Sequence, residues 1–409
     1  MRLHPTLALA ALLLTQAAAA LVPDHAQKQL QARTNLPING PSFNLPEGSS
    51  FNSVTVALND NAEVAFKVQI LPGTNAAGVW FGGNGSGGIV CQSENVVDVL
   101  ITDVSLDNQP RVVYAQTDGN TDGIYRCDPL APSSVLVTAS PLGANNWGSP
   151  QTLDDGSIGY RASFNDGRAW VAFNNGTTTV FASEFGITPG SPYGFLFTPA
   201  YGPTGKIAGK VQIREVVPVP QHDEIQINNG AGSIATLATI RSIDPSSDFV
   251  GFNNSGAING FDQVAFVASL FAGGSGVFIL SEGQPPLQIA QTGVDGLVEI
   301  EAFAPVLNDS GLVAFRGRDD MGQAIFIGDG VDLKKVVSQG DLLPSDLGMA
   351  QIGQNDASPV FGGGIAINDN GDIAFIAALH PPGNNQVEWG SGVYVAYAGF
   401  DKIFSDGYE

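Results

Sequence analysis

The sequence predicts an all-β protein, a seven-bladed β-propeller of four-stranded antiparallel blades, and three observations lead there. The first is a turn motif that returns along the chain. Val306-Leu307-Asn308-Asp309-Ser310-Gly311-Leu312-Val313-Ala314-Phe315 comes back as Ile367-Asn368-Asp369-Asn370-Gly371-Asp372-Ile373-Ala374-Phe375. An earlier copy is Leu58-Asn59-Asp60-Asn61-Ala62-Glu63-Val64-Ala65-Phe66. Each reads as strand, tight turn, strand: Asn and Asp bond their own backbone, Gly accepts positive φ, and the following residues alternate with period two. The second is the interval. The strand-ending position falls at Phe66, Tyr114, Tyr160, Gly209, Phe266, Phe315 and Phe375, spaced 48, 46, 49, 57, 49 and 60 residues apart, which makes seven units. The third is composition: 51 glycines in 409 residues, with charge sparse and β-branched and aromatic residues in short runs, suit a chain of many strands and turns.

In chain order, residues 1–20 read as a secretory signal. Arg2 gives the positive end, Leu7 to Leu14 the apolar run and Ala18-Ala19-Ala20 the cleavage site. The apolar run is short for a bilayer, and no later stretch offers a membrane span. The mature protein is therefore expected outside the cytoplasm: secreted, periplasmic or on the cell surface. Residues 21–50, rich in Gln, Asn and Pro, read as an N-terminal arm or linker, residues 51–400 as the propeller and 401–409 as a tail.

Within the propeller each unit divides into four strands. In the sixth they are Ile300 to Leu307, Leu312 to Gly317, Ala324 to Ile327 and Leu333 to Val337. The fourth has lost the motif but keeps the order: Gly194 to Tyr201, Lys206 to Ile213, Glu224 to Ile227 and Ser233 to Ile240. Prolines at 150, 199 and 305 hold the register. Four strands per 40–60 residues is the period of a propeller blade, and closing the ring removes exposed sheet edges. Val313 and Phe315 face one way, Leu312, Ala314 and Arg316 the other, so a bulky face of one blade nests on the small face of the next.

Asn308-x-x-Gly311-x-x-Ala314-Phe315 and Asn368-x-x-Gly371-x-x-Ala374-Phe375 resemble the NxxGxxAF tandem repeat of exported bacterial proteins. Asn59-x-x-Ala62-x-x-Ala65-Phe66 and Asn259-x-x-Asp262-x-x-Ala265-Phe266 match except at Gly, and units two to four belong by spacing alone. The resemblance implies an exported repeat protein and brings no catalytic residues. The ending Ile403-Phe404-Ser405-Asp406-Gly407-Tyr408-Glu409 is similar to short Ile-Phe-x-x-Gly-Phe-Glu endings of exported Gram-negative proteins, with Tyr408 in place of Phe.

A formal charge of −22 argues against nucleic acid and anionic membrane as partners, since both need basic side chains to neutralise phosphate. The two cysteines, Cys91 and Cys127, form a disulfide in an oxidising compartment or else stay as buried thiols. Asp60, Asp154, Asp309 and Asp369 would ring one end of a channel, although turn chemistry alone accounts for them. Asp118-Gly119-Asn120-Thr121-Asp122-Gly123 has oxygen ligands at positions one, three and five and then Gly, the first half of a calcium loop. Position twelve is Pro129 rather than Glu, so calcium at Asp118, Asn120 and Asp122 needs further ligands, and a plain hairpin is the alternative. No His spacing, G-x-S-x-G elbow or phosphate loop marks an enzyme.

Loop length points to a binding face instead. Loops joining strands two and three share a ring face with those joining blade to blade. The long ones are His380 to Trp389, Gly340 to Phe361, Pro141 to Gly148 and Arg241 to Asn254. Trp147, His380, Glu388 and Trp389 form the candidate ligand face, where an exposed Trp stacks on a sugar or grips a protein. The competing reading is that both tryptophans fill gaps between blades. The expected function is non-catalytic recognition of an extracellular glycan or protein. The alternatives are a carbohydrate-active hydrolase or lyase using acidic residues on that face, and a structural envelope protein.

Overall fold

The motif turn sets the blade. In blade six the inner strand is split, Glu299–Ile300 then Val306–Leu307, and is followed by Val313–Asp319, Gly322–Gly328 and Leu333–Ser338, all antiparallel. The same order repeats seven times around a ring in the structure, a computed structural model. It describes residues 21–35, 41–51, 54–70, 77–92, 100–101, 104–117, 123–129, 135–138, 143–355 and 358–399. The all-β propeller of four-stranded blades is thus the fold of this chain. Among the described residues no helix is long and apolar enough to cross a membrane.

The strand-ending aromatic earns its position through a cross-strand partner. Phe66 lies opposite Trp80, Tyr114 opposite Tyr125, Phe266 opposite Phe278, Phe315 opposite Phe326 and Phe375 opposite Tyr394. In all five pairs the rings stack, with centroids 5.0–5.8 Å apart. Such pairs add about 0.5–1.5 kcal/mol each beyond area burial. Each bulky face packs on the Ala face of the preceding blade: Phe315 shares a core with Ala265, and Phe375 with Ala314. Blade four departs at Gly209 because Trp170 of blade three occupies the space. A Cβ on Gly209 would come within 3.2 Å of the indole, whose Nε1 donates to the Phe197 carbonyl at 2.9 Å.

The segment read as an arm contains a propeller strand. Lys28–Arg33 pairs antiparallel with Gly390–Ala396 as the outer strand of blade seven, so the two ends of the chain close the ring together. Arg33 fastens it. The guanidinium, fully buried, donates to both carboxylate oxygens of Asp346 at 2.7 and 2.8 Å and to the carbonyls of Thr34, Trp389 and Pro41. Asp346 sits at the tip of the hairpin Leu342–Ser345 and Gly348–Ile352.

Cys91 and Cys127 are bonded, with Cα atoms 6.4 Å apart, and tie the outer strand of blade one to the third strand of blade two. The bridge closes a loop of 36 residues. Replacing both by serine is expected to cost about 3–4 kcal/mol on the loop-entropy relation, read as a lower denaturation midpoint matched by the reduced wild type. The Asp118, Asn120 and Asp122 calcium reading lies outside the described residues, as do residues 1–20 and 401–409.

Candidate functional site

Alternating strand direction gives the ring two unlike mouths. The turns between strands one and two line one mouth, where a cavity of about 490 Å³ is walled by the Asn-Asp positions of the blades. These residues do more than close their own turns. Asn308 Oδ1 accepts from Leu312 N at 2.9 Å, which is turn chemistry, but its Nδ2 donates to the Asn368 carbonyl of the next blade at 3.1 Å. Asn368 reaches the Asn59 carbonyl, Asn259 the Asn308 carbonyl and Asn59 the Asp107 carbonyl in the same way. The aspartates complete a belt. The backbone N–H groups of Gly260, Asp309, Asp369, Asp60 and Asn108 donate to the side chains of Asp309, Asp369, Asp60, Asn108 and Asp154, each one blade on.

Blade four breaks the belt. Pro203 stands at the Asp position and has no N–H to give, and Gly202 replaces the Asn. There Lys206 Nζ and Thr204 Oγ1 bind Asp262 of blade five instead, at 2.6 and 2.5 Å. In blade two Asp107 has no amide to donate, and Arg111 substitutes by donating to the carbonyls of Asp154 and Leu153.

Burial, with the carboxylates of Asp309, Asp60 and Asp154 behind it, raises the Asp369 pKa, against the pull of the Asp309 N–H. A raised carboxyl pKa means that the folded state holds the proton more tightly. The stability it lends is present below the unfolded pKa and is lost as pH rises through the folded one. Asp369→Asn keeps a carbonyl acceptor, as Asn108 does naturally. The variant should equal or exceed the wild type in melting temperature at neutral pH, by less than about 1 kcal/mol, and the difference should vanish in acid. A melting series across pH checks this.

The central channel, about 580 Å³, is lined by neutral residues such as Thr55, Ser105, Pro150, Ala200, Gly256 and Ala304. The opposite mouth carries the strand two–three hairpins and the blade-to-blade connections. Val216, Val217, Phe271, Val298 and Met321 stand there 63–84% exposed, while Phe261 and Val331 are exposed on the other mouth. The rings are braced by cations: the guanidinium of Arg214 lies 3.6 Å from the Phe185 centroid, and that of Arg241 lies 4.0 Å from Phe271. Sequence reasoning missed these residues. The signal was the run Val216-Val217-Pro218-Val219-Pro220, whose prolines bar a paired strand and so leave valines in solvent.

The four residues chosen from sequence fare differently. Trp147 is 1% exposed, inside the core between blades two and three, and its Nε1 is buried without a partner. His380 is buried, and its Nδ1 donates to Pro381 O at 2.7 Å. Trp389 packs on the core of blades six and seven. Glu388 alone of the four is a partly exposed side chain that packs into none of these clusters. The tryptophans fill gaps: Trp147, read as a loop residue, lies on the inner strand Asn146–Thr152 opposite Ala162, and a large ring gains more apolar burial inward than outward. Among the described residues no group of three or more His, Cys, Asp or Glu is placed to hold a metal.

Comparison with known proteins follows the architecture. A family of unknown function (DUF7453) matches residues 287–404, from the end of blade five through blade seven. No curated protein matches the sequence. Among solved structures the chain is similar to the β-propeller domain of the Trilobed protease from Pyrococcus furiosus, described as having an open velcro topology. That likeness has 13% identity and a TM-score of 0.55, covering 81% of this chain and 92% of that one. It is also similar to the polysaccharide lyase Uly1, at 10% identity and a TM-score of 0.51, covering 89% of this chain and 94% of that one. At these identities the likeness is one of fold.

Proposed function

We propose that this is an exported, non-catalytic binding module that recognises an extracellular glycan or protein through the mouth bearing the long loops. The observation that carries the reading is the exposure of Val217, Phe271, Val298 and Met321 on that mouth, on a rigid ring. The other mouth exposes Phe261 and Val331, but this one carries such side chains on three successive blades, four to six, which favours it as an interaction surface. Ion pairing of part of the acidic set supports binding over hydrolysis. Glu301, Glu184, Asp223 and Asp319 are held by Arg316, Arg168, Lys210 and Lys335, and so are committed to structure. The Cys91–Cys127 bridge supports export, since such bonds persist in oxidising compartments.

The test is a screen of the mature protein against a glycan array and against surface proteins, with calcium and with chelator. Val217→Asp, Phe271→Asp and Met321→Asp should each fold normally, within about 0.5 kcal/mol of wild type, and together abolish binding. Full binding by the triple variant would move recognition elsewhere. Loss of binding on chelation would bring in the Asp118, Asn120 and Asp122 loop.

A further inference from the structure

Where blade four meets blade five, the loop-bearing side opens into a cleft of about 590 Å³. Small-ligand sites typically measure about 300–1,000 Å³. The cause is in the sequence. The outer strand of blade four, Ile234-Ala235-Thr236-Leu237-Ala238-Thr239, offers alanines and threonines where a neighbour would need bulk. Leu270, Phe249 and Phe278 of blade five therefore form an apolar floor.

The rim is polar and unspent. Gln288 and Gln291 line the opening, and their amides have no side-chain hydrogen bond among the described residues. Thr239 Oγ1 is buried without a partner. A buried hydroxyl left unpaired is costly, and because Thr239 lines the cleft a turn about χ1 brings it to a ligand and removes the cost. The connection forming the wall is held in place: Ser247 Oγ donates to the Thr239 carbonyl at 2.8 Å, and Arg241 Nη1 to the Ser247 carbonyl at 2.8 Å. The cleft is thus preformed.

Its chemistry selects the ligand. The lining contains no Lys or Arg and does contain Asp244 and Asp248, which disfavours phosphate, sulfate and carboxylate. The Asp244 carboxylate is already taken by Ser246 N and Oγ at 2.9 and 2.6 Å. Amides and hydroxyls around an apolar floor match a pyranose, which has hydroxyls at its edge and C–H groups on its face. We infer that the cleft between blades four and five binds a short neutral oligosaccharide, with Gln288, Gln291 and Thr239 reading its hydroxyls. This rests on the glycan branch of the recognition reading.

The experiment titrates neutral gluco-, xylo-, manno- and galacto-oligosaccharides of two to four residues into the full mature chain by calorimetry, with oligogalacturonate as the anionic control. Two cleft variants, Gln288→Ala/Gln291→Ala and Thr239→Val, are compared with the Val217→Asp/Phe271→Asp/Met321→Asp variant. The expected result is binding of a neutral oligosaccharide, weakened about tenfold or more by the double substitution. Thr239→Val should weaken it as well while melting no lower than wild type, a combination that a purely structural role does not give. Undiminished binding in both cleft variants, with loss in the loop variant, overturns the cleft and leaves the wider reading standing. Failure of every neutral oligosaccharide to bind overturns the cleft too, and the protein-partner screen then decides the wider reading.

Discussion

Arg33→Ala is expected to destabilise the protein by about 2–4 kcal/mol, because it takes a fully buried guanidinium from three carbonyls and from the part-exposed Asp346 carboxylate. The substitution empties five hydrogen bonds and leaves a buried hole beneath Asp346, which itself sits on an exposed hairpin tip. Because Arg33 ends the strand that closes the ring, the loss should concentrate there. Limited proteolysis should cut near residues 28–33 well before other sites, and the melting temperature should fall by about 3–5 °C. Arg33→Lys should recover part of the loss, since it restores charge without the bidentate fork. A loss under about 1 kcal/mol would mean that strand pairing alone closes the ring.

The second large effect is at the belt. Asn368 is 4% exposed and makes three bonds: to the Asn59 carbonyl at 3.0 Å, to the Asp372 carboxylate at 3.0 Å and from Asp372 N at 2.8 Å. Asn368→Ala leaves the Asn59 carbonyl and Asp372 N–H without these partners, which should cost about 2–4 kcal/mol. Asn308→Ala should behave alike. Leu153→Ala in blade three has no belt amide to lose, and should cost clearly less. Chemical denaturation of the three variants separates a circumferential belt from simple turn closure, which predicts that a turn-preserving Asn308→Asp, whose turn carries Leu312 where the next blade has Asp372, would be harmless. On the belt account Asn308→Asp is also damaging, because a carboxylate cannot donate to the Asn368 carbonyl.

Much of the fold was legible because the repeat carries its own packing. The aromatic at Phe315 and its equivalents alternates with Ala314, and that one alternation encodes both faces of a blade. The strand boundaries proposed for blades four and six agree with the structure to within a few residues. The closing strand was not legible. Lys28-Gln29-Leu30-Gln31-Ala32-Arg33 reads as polar linker, yet Gln31 and Arg33 are fully buried. Their partners, the Gly85 N–H and the Asp346 carboxylate, lie 54 and 313 residues away. Polarity in sequence marks solvent only where no distant group completes the hydrogen bonds. The belt hid for a related reason: turn chemistry explained Asn308 Oδ1 fully, and nothing local announced the destination of its Nδ2.

Of the candidate face, the sequence shows where the long connections gather and not which side chains they expose. Choosing its aromatics selected Trp147 and Trp389, because a large ring in a long loop looks the same in sequence whether it points out or in. The exposed positions, Val217 and Met321 among them, are short apolar residues between polar or proline neighbours and carry no motif.

The central claim is that one mouth of this ring recognises an extracellular partner while the Asn-Asp mouth is structural. Hydrogen exchange of the mature protein, alone and saturated with the best ligand from the array and surface-protein screens, tests it most directly. The account predicts new protection in the loops around residues 214–221, 241–249, 271–274 and 320–322, with the turns at 59–62, 308–311 and 368–371 unchanged. Protection confined to those turns, or no partner in any screen, would contradict it.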